Sequence, residues 1–413
     1  MYEAIRQISA NFPDARVTLS MHDPSSCPAR VNLEAIGSFK SWVYSVDEEK
    51  RGRWYVWTFP YHLLHAIIAL ITYRLFHRPL FLTRDPAKRR LLRAYFDADL
   101  VISCGGNNLS SKRFFAAFFF WNIFSTLFAH YAGKPLYMFP ESVGPFASSL
   151  HFYLTKFTLA RMRLVLVRDT LSLRLVKMMA LPDTSYHFVP DLAFGPWCDL
   201  APDDSLWPLH SFCRQNIERD TPLIGITPIN WGEQNPHFGG QASYEQALIE
   251  LIHYITTEMD GHVFLFSQVL GPSLAEDDSQ IARRLLDRMT TSSSRVTHVN
   301  AIRSPVQLMA AYGCMDFVVG TRMHSNIFAL CADVPVIAIG YMSKTLGIMR
   351  SLGLEEWTHD IETINGPELV ALFRRGWEKR QTTAAYLQTC IPEARKVAER
   401  AGSLIAKDWQ RLQ

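Results

Sequence analysis

Between Asp316 and Leu354 the chain alternates short apolar runs with helix-forming segments, the pattern of parallel strands joined by crossover helices. An apolar run ends at Gly320, and the chain turns through Thr321, Arg322, Met323 and His324 into a helix. A second run, Val334 to Ile339, ends in Gly340-Tyr341-Met342-Ser343-Lys344 before another helix. Two strand-to-helix turns are therefore expected side by side at the carboxyl ends of parallel strands, where open α/β sheets bind their ligands. Each helix start offers unpaired N–H groups and a partial positive charge. Arg322 and Lys344 add full charges and His324 a titratable proton donor. The arrangement suits a small, multiply charged anion.

The same alternation occupies most of the chain after residue 95. Expected strands at Asp99–Cys104, Pro135–Phe139 and Leu164–Val167 each run into a polar turn and then a helix. A proline-rich and acidic stretch, 195–221, reads as a linker, and a second set of alternations follows it. The expected architecture is α/β, with two Rossmann-like doubly wound domains and a cleft between them, as in glycosyltransferase B folds. The first domain covers residues 1–200 and carries an apolar and basic helical insertion at about 51–93. The second covers 215–366, and a charged helical tail covers 367–413.

Composition excludes several classes. With 42 basic and 39 acidic side chains, nothing points to nucleic acid. Seven scattered cysteines with no C-x-x-C pair fit a reducing, cytoplasmic setting without structural zinc, and no metal cage is expected. The opening MYEAIRQISANFPDA reads as an amphipathic helix and not a leader. Residues 54–82 and 114–130 are unusually apolar and aromatic. Interruptions at His62, His65 and Arg74 keep the first below the roughly 18 uninterrupted apolar residues of a spanning helix. Basic residues flank it, so peripheral contact with the inner face of the cell membrane is expected through 54–82; the alternatives are a core helix or a dimer contact.

Arg322 and His324 are the first candidates for chemistry. A planar guanidinium at a buried strand end matches carboxylate or phosphate oxygens; the alternative is a salt bridge to a buried acid such as Asp191 or Glu141. His324, two residues on, is a candidate acid or phosphate contact. Ser343 and Lys344 of the second turn offer a hydroxyl, a cation and backbone donors, although plain helix capping accounts for the serine equally well. Gly105, Gly106 and Asn107 would let backbone approach a ligand closely. Arg168 is a candidate ligand at another strand end, or one half of an ion pair. Glu141 lies in a polar turn. Ser267 and Gln268 are candidates for sugar hydroxyls, and Asp277-Asp278 reads equally as a helix start.

These turns resemble the polysaccharide pyruvyl transferase family. The matching segments run in family order: DLVISCGGNN (99–108), PESVGPF (140–146), VRDTLS (167–172), PDLAF (190–194), GITPINW (225–231), FSQVLGPSLAEDD (266–278), GTRMHSNIFAL (320–330) and PVIAIGYMSKTLGIM (335–349). The resemblance implies a glycosyltransferase B fold and a transferase with no cofactor. Phosphoenolpyruvate would be the co-substrate, and pyruvate would be installed as a cyclic ketal on a saccharide acceptor, lipid-linked or polymeric. Arg322 and His324 match the family's Arg-x-His motif, tied to the phosphoenolpyruvate site, and Arg168 matches an arginine at a first-domain strand end. Three departures stand out. Met1 falls inside what reads as the family's first helix, with no strand and glycine-rich turn before it; Glu141 stands where many relatives carry Gln; and 54–82 looks like an insertion. The rival readings are a nucleotide-sugar-dependent glycosyltransferase of the same fold and a non-catalytic partner in polysaccharide assembly.

Overall fold

The computed structural model describes residues 2–27, 33–42, 54–104, 106, 109–111, 117–181, 185–196, 221–235, 237–271, 274–289, 293–300, 302 and 304–413. They form two compact units, Met1–Asp191 with Glu399–Gln413, and Leu192–Ala398.

In the first unit β1 (Thr18–Met21) and β2 (Glu34–Gly37) form a parallel pair. A separate parallel sheet runs β3 (Val101–Ser103), β4 (Leu136–Glu141), β5 (Leu164–Val167), β6 (Ser185–Phe188) in that spatial order. β4 and β5 are buried throughout, which explains why they read as unbroken apolar runs and not as alternation. Their crossover helices start on side-chain caps: Ser148 accepts from the His151 amide and Asp169 from that of Ser172. A cavity of about 1770 Å³ in this unit is lined by the Tyr2–Asn11 helix, β1, β3 and the Arg400–Gln410 helix.

The insertion is two helices, Trp54–Phe76 and Pro86–Asp97. Ala66, Ala69, Leu91, Leu92 and Phe96 pack with Phe39, Trp42, Trp121 and Phe128 into one apolar cluster. The histidines that interrupt the run point inward: His65 Nδ1 accepts from the Leu82 amide at 3.1 Å, and His62 lies beside Lys88 Nζ. Among the described residues no helix is long and apolar enough to cross a membrane. Arg51, Arg53 and residues 112–116 lie outside the described residues.

The second unit holds one parallel six-stranded sheet. It is built from β7 (Leu223–Thr227), β8 (His262–Phe266), β9 (Val296–Val299), β10 (Phe317–Gly320), β11 (Val336–Gly340) and β12 (Thr358–Asp360), in the spatial order β12-β11-β10-β7-β8-β9. The chain builds outward from β7 to β9, then returns to lay β10 on the other side of β7. The strand order therefore reverses between β7 and β10, which makes their carboxyl ends the ligand-binding position of a doubly wound sheet. β11 starts later than the expected Val334: the Val334 amide closes the preceding helix on the Ala329 carbonyl, and Pro335 has no N–H to give a neighbour.

Two expected boundaries need correction. The division falls at Asp191–Leu192, upstream of the expected linker, of which 197–220 lie outside the described residues. The tail 367–413 is not one element. Gly366–Glu378 packs on the Gln241–Thr257 helix of the second unit, whereas Arg400–Gln410 belongs to the first. That last helix meets Tyr2–Asn11 through Gly402, whose amide reaches Gln7 Oε1 at 2.8 Å; a Cβ there would come within 3.0 Å of Gln7. Asp408 anchors the other end, accepting from Tyr137 OH and Arg163 Nε at 2.9 Å each.

Candidate functional site

The small residues of the 320–326 turn hold it in shape. A Cβ on Gly320 would lie 2.0 Å from Asn326 Oδ1, so only glycine lets Asn326 fold back and donate to the Gly320 carbonyl at 3.1 Å. The Thr321 amide donates to the Thr227 carbonyl, and Thr227 Oγ1 meets Ser325 Oγ at 2.8 Å. Tyr244, raised by burial and so kept protonated, lies 2.7 Å from Thr321 Oγ1 and accepts from the Ile229 amide. The turn is thus clamped to the end of β7 by groups that are all buried. The side chains of Arg322 and His324 take no part in this clamp, and of the two only His324 is exposed.

Arg322 does not meet Asp191 or Glu141. Its partner is Asp278, the first residue of the Asp278–Arg288 helix: Nη2 donates to Oδ1 at 2.6 Å and Nε to Oδ2 at 3.2 Å. Burial weakens the charge on Arg322, and the adjacent Asp278 carboxylate outweighs it, so the guanidinium is held more firmly protonated than a free one. Burial pushes the Asp278 carboxyl above its ordinary range, opposed by Arg322 and by the Val269 amide, which donates at 2.9 Å. A bidentate carboxylate uses two of the five guanidinium N–H groups. Arg322 is therefore a positioned cation, oriented by its own acid before any anion arrives.

His324 is exposed in the first turn of the Met323–Cys331 helix, its ring stacked on Phe328 at 6.2 Å. The next turn along the sheet carries Lys344, whose Nζ lies 5.8 Å from the centre of the Tyr341 ring, and Tyr341 packs on Trp231 at 4.6 Å. Ser343 does not cap its helix. Met342 takes that position, and it gives no side-chain hydrogen bond; nor does Arg322 at the start of its own helix. Asp85, Ser148, Asp169, Asp277 and Asn365 each cap theirs, whereas Asn230, Gly240, Ser304 and Glu399 do not. Thr345 Oγ1, in the first turn, is buried with no hydrogen-bond partner among the described residues. Two adjacent helix starts without side-chain caps, flanked by an arginine and a lysine, form an anion-binding geometry.

The other candidates are engaged inside the protein. Ser267 is buried with its Oγ 2.8 Å from His298 Nε2, and Gln268 Oε1 accepts from Tyr312 OH at 3.5 Å. In the first unit Arg168 is only 3% exposed and pairs with Asp191, with Ser142 Oγ at 2.8 Å and the Gly106 carbonyl as further acceptors. That is the ion-pair alternative, made with Asp191 and not with the adjoining Asp169, which caps its own helix. Glu141 is a buried strand residue, not a turn residue, and accepts from Ser103 Oγ at 3.2 Å. Gly106 adopts φ 119°, a conformation that favours glycine. Gly105 and Asn107 lie outside the described residues. Among the described residues no group of three His, Cys, Asp or Glu side chains converges. Sequence reasoning missed the Asp278 pairing, Tyr244, Thr227, Tyr341 and Trp231. The only signal for Asp278, Thr227, Tyr341 and Trp231 was their presence in the segments GITPINW, LAEDD and GYMSKT, and Tyr244 carried none.

Two Rossmann-like units with a switch-point anion geometry define a protein of the glycosyltransferase B structural class. Solved structures of that class are similar across nearly the whole chain. A glycosyltransferase from Rickettsia africae ESF-5 aligns with a TM-score of 0.54 at 11% identity, covering 98% of this chain and 94% of its own. A UDP-GlcNAc 2-epimerase from Neisseria meningitidis, bound to UDP-GlcNAc, gives 0.54 at 9% identity over 100% and 96%. Anabaena Alr3699/HepE in complex with UDP-glucose gives 0.51 at 14% over 83% and 88%. At such identities the likeness shows the fold alone. The polysaccharide pyruvyl transferase model matches residues 1–343, and the chain belongs to that family. Among curated proteins, the amylovoran biosynthesis protein AmsJ of Erwinia amylovora is 27% identical over 285 residues, 66% of this chain. The match spans 64% of that relative's length.

Proposed function

We propose that the protein transfers the three-carbon unit of phosphoenolpyruvate to a saccharide of an exopolysaccharide or its lipid-linked precursor, forming a pyruvate ketal and releasing phosphate. Family membership and a relative named for amylovoran biosynthesis support the class. The observation that carries the reading is the pair of helix starts without side-chain caps after β10 and β11, with Arg322 and Lys344 beside them. Phosphoenolpyruvate bears a carboxylate and a phosphate, and such a site offers two backbone nests and two cations to them.

In this reading His324 delivers a proton to the methylene carbon, leaving C2 electrophilic. One sugar hydroxyl adds to C2 and gives up its proton. The bond from C2 to the phosphate oxygen breaks, and inorganic phosphate departs toward Lys344 and the backbone amides at the start of its helix. A second hydroxyl then bonds to C2, passing its proton to the released phosphate, and closes the ketal, while the proton given up by the first hydroxyl restores His324. Arg322, held by Asp278, takes the carboxylate or the leaving phosphate with its remaining N–H groups. Arg168 is assigned no contact with substrate: buried and paired with Asp191, it holds the 106, 142 and 191 segments together. A cytoplasmic acceptor on lipid would bring peripheral membrane contact through residues 54–82 into the same reading.

The test is calorimetric titration of phosphoenolpyruvate beside a panel of nucleotide sugars, followed by phosphate release and ketal detection on glycan acceptors. Arg322→Ala should abolish transfer while the circular dichroism spectrum is kept. Binding of a nucleotide sugar without binding of phosphoenolpyruvate would replace this reading with the glycosyltransferase one. Phosphoenolpyruvate binding without turnover on any glycan would favour the non-catalytic one.

A further inference from the structure

The helix Trp54–Phe76 buries one side in the first unit and leaves the other apolar. His62, His65, Ala66 and Ala69 face the core, while Tyr61, Leu64, Ile67, Ile71, Leu75 and Phe76 are 38–69% exposed. The spacing of these residues is that of one helical stripe, about 22 Å long. The following segment folds back along it: the Leu80 amide donates to Thr72 Oγ1 at 2.8 Å, the Leu82 amide to His65, and both leucines are exposed. The stripe is therefore widened by two more apolar side chains.

A second stripe stands on another helix of the same unit. On Ser149–Leu159, Leu150, Tyr153 and Phe157 are 41–64% exposed. The Ala117–Tyr131 helix packs against both of these helices. The Arg74 guanidinium lies against Gly133, where a Cβ would be 2.6 Å from Nη1, and the Arg161 guanidinium stacks 3.2 Å over the Phe157 ring. Both cations lie close enough to His130 to depress its pKa beyond what burial does. Tyr131, next in sequence, is 47% exposed, so the end of the Ala117–Tyr131 helix joins the two stripes.

Charge over this region has one sign. Residues 51–84 contain no carboxylate, and between Asp99 and Asp169 the only one is Glu141, which is buried. Among the described residues Arg74, Arg78, Lys134, Lys156 and Arg161 form no ion pair with a carboxylate, in a chain whose overall charge is only +3. A second copy of this chain would set cation against cation across a two-fold axis. Apolar stripes edged by tyrosine and arginine match the boundary between acyl chains and anionic headgroups.

We propose that these three helices form one bilayer-docking face for anionic lipid, with Ser149–Leu159 as an essential second foot beside the insertion. This deepens the membrane contact named above, and its test reads no turnover, so its failure would leave the transfer reading standing. The full-length protein is floated with vesicles of phosphatidylcholine alone, or of phosphatidylcholine with phosphatidylglycerol. The expected result is strong partition onto the anionic vesicles that weakens with added salt. Three double substitutions, Ile71→Ser with Leu75→Ser, Tyr153→Ser with Phe157→Ser, and Arg74→Glu with Arg161→Glu, should each reduce it by about tenfold or more. Circular dichroism checks the fold of each; if the first pair unfolds, the other two decide. Absence of partition onto anionic vesicles overturns the proposal, as does wild-type partition of the Tyr153 and Phe157 pair. A dimer that these substitutions dissociate would show instead that a second copy covers the face.

Discussion

Replacing Asp278 with asparagine isolates the role given to the Arg322 pair, because shape is kept and charge is lost. Asp278 is fully buried and the Arg322 side chain is 11% exposed. Oδ1 accepts from Arg322 Nη2, and Oδ2 from both Arg322 Nε and the Val269 amide. A carboxamide has one oxygen, so whichever way the new side chain turns, its NH₂ faces a donor. The substitution loses at least one charge-assisted hydrogen bond, worth about 1.5–3 kcal/mol, and leaves a buried donor unmet at about 1–3 kcal/mol. Together these approach the roughly 3–5 kcal/mol of breaking a buried pair, and the residual water access of Arg322 brings the expected cost to about 2–4 kcal/mol. A two-unit chain does not unfold in one step. Hydrogen exchange at the amides of β7 and β10 therefore reads the loss locally. Arg322→Met alone should cost as much, by stranding Asp278. The double variant should fall short of the sum of the singles by about 1–3 kcal/mol. Phosphoenolpyruvate turnover should drop in Asp278→Asn although that residue touches no substrate, because Arg322 is no longer aimed. A cost below about 0.5 kcal/mol, or strict additivity in the double variant, would refute the pairing argument.

Gly320→Ala should unseat the turn, since the new methyl would lie 2.0 Å from Asn326 Oδ1; thermal melting should fall, and Asn326→Ala in the same chain should restore part of it. Arg168→Met should destabilise the first unit by about 3–5 kcal/mol by removing the guanidinium from the buried Asp191 carboxylate, measured by urea unfolding. Lys344→Ala should leave stability near wild type and weaken phosphoenolpyruvate binding in calorimetry. Burial depresses His62 and His262 to about 4, below an ordinary histidine at 6.5. The unfolded chain therefore takes up these protons first as pH falls. Stability should be fully present above pH 6.5 and decline progressively between there and about 4. The decline should be shallower in His262→Asn, as read from melting temperature against pH.

The anion geometry of the second unit was legible along the chain because it is local. A strand of four apolar residues, a glycine and a helix start occupy consecutive positions, and the helix N-terminus presents its amides wherever that order occurs. Composition marked the insertion as apolar and basic, but not that its histidines point inward. The fate of the cations was not legible in the same way. Arg322 and Arg168 carry similar local surroundings, each at the end of an apolar strand. Yet one is oriented by Asp278, 44 residues before it, and the other is sealed against Asp191, 23 residues after it. The order of strands in the sheet decides which acid stands beside which strand end.

What the amino-acid sequence determined by itself was the alternation that forces parallel sheets, the turns that open at their ends, and the charge asymmetry of the insertion. Only tertiary structure decided that Arg400–Gln410 returns to the first unit, that Asp278 holds Arg322, and that the Ala117–Tyr131 helix packs against both helices that carry exposed stripes. The physical reason is range. Backbone geometry and hydrophobic period act over a few residues, whereas a buried charge is satisfied by whatever group the fold brings within about 3 Å, at any distance along the chain.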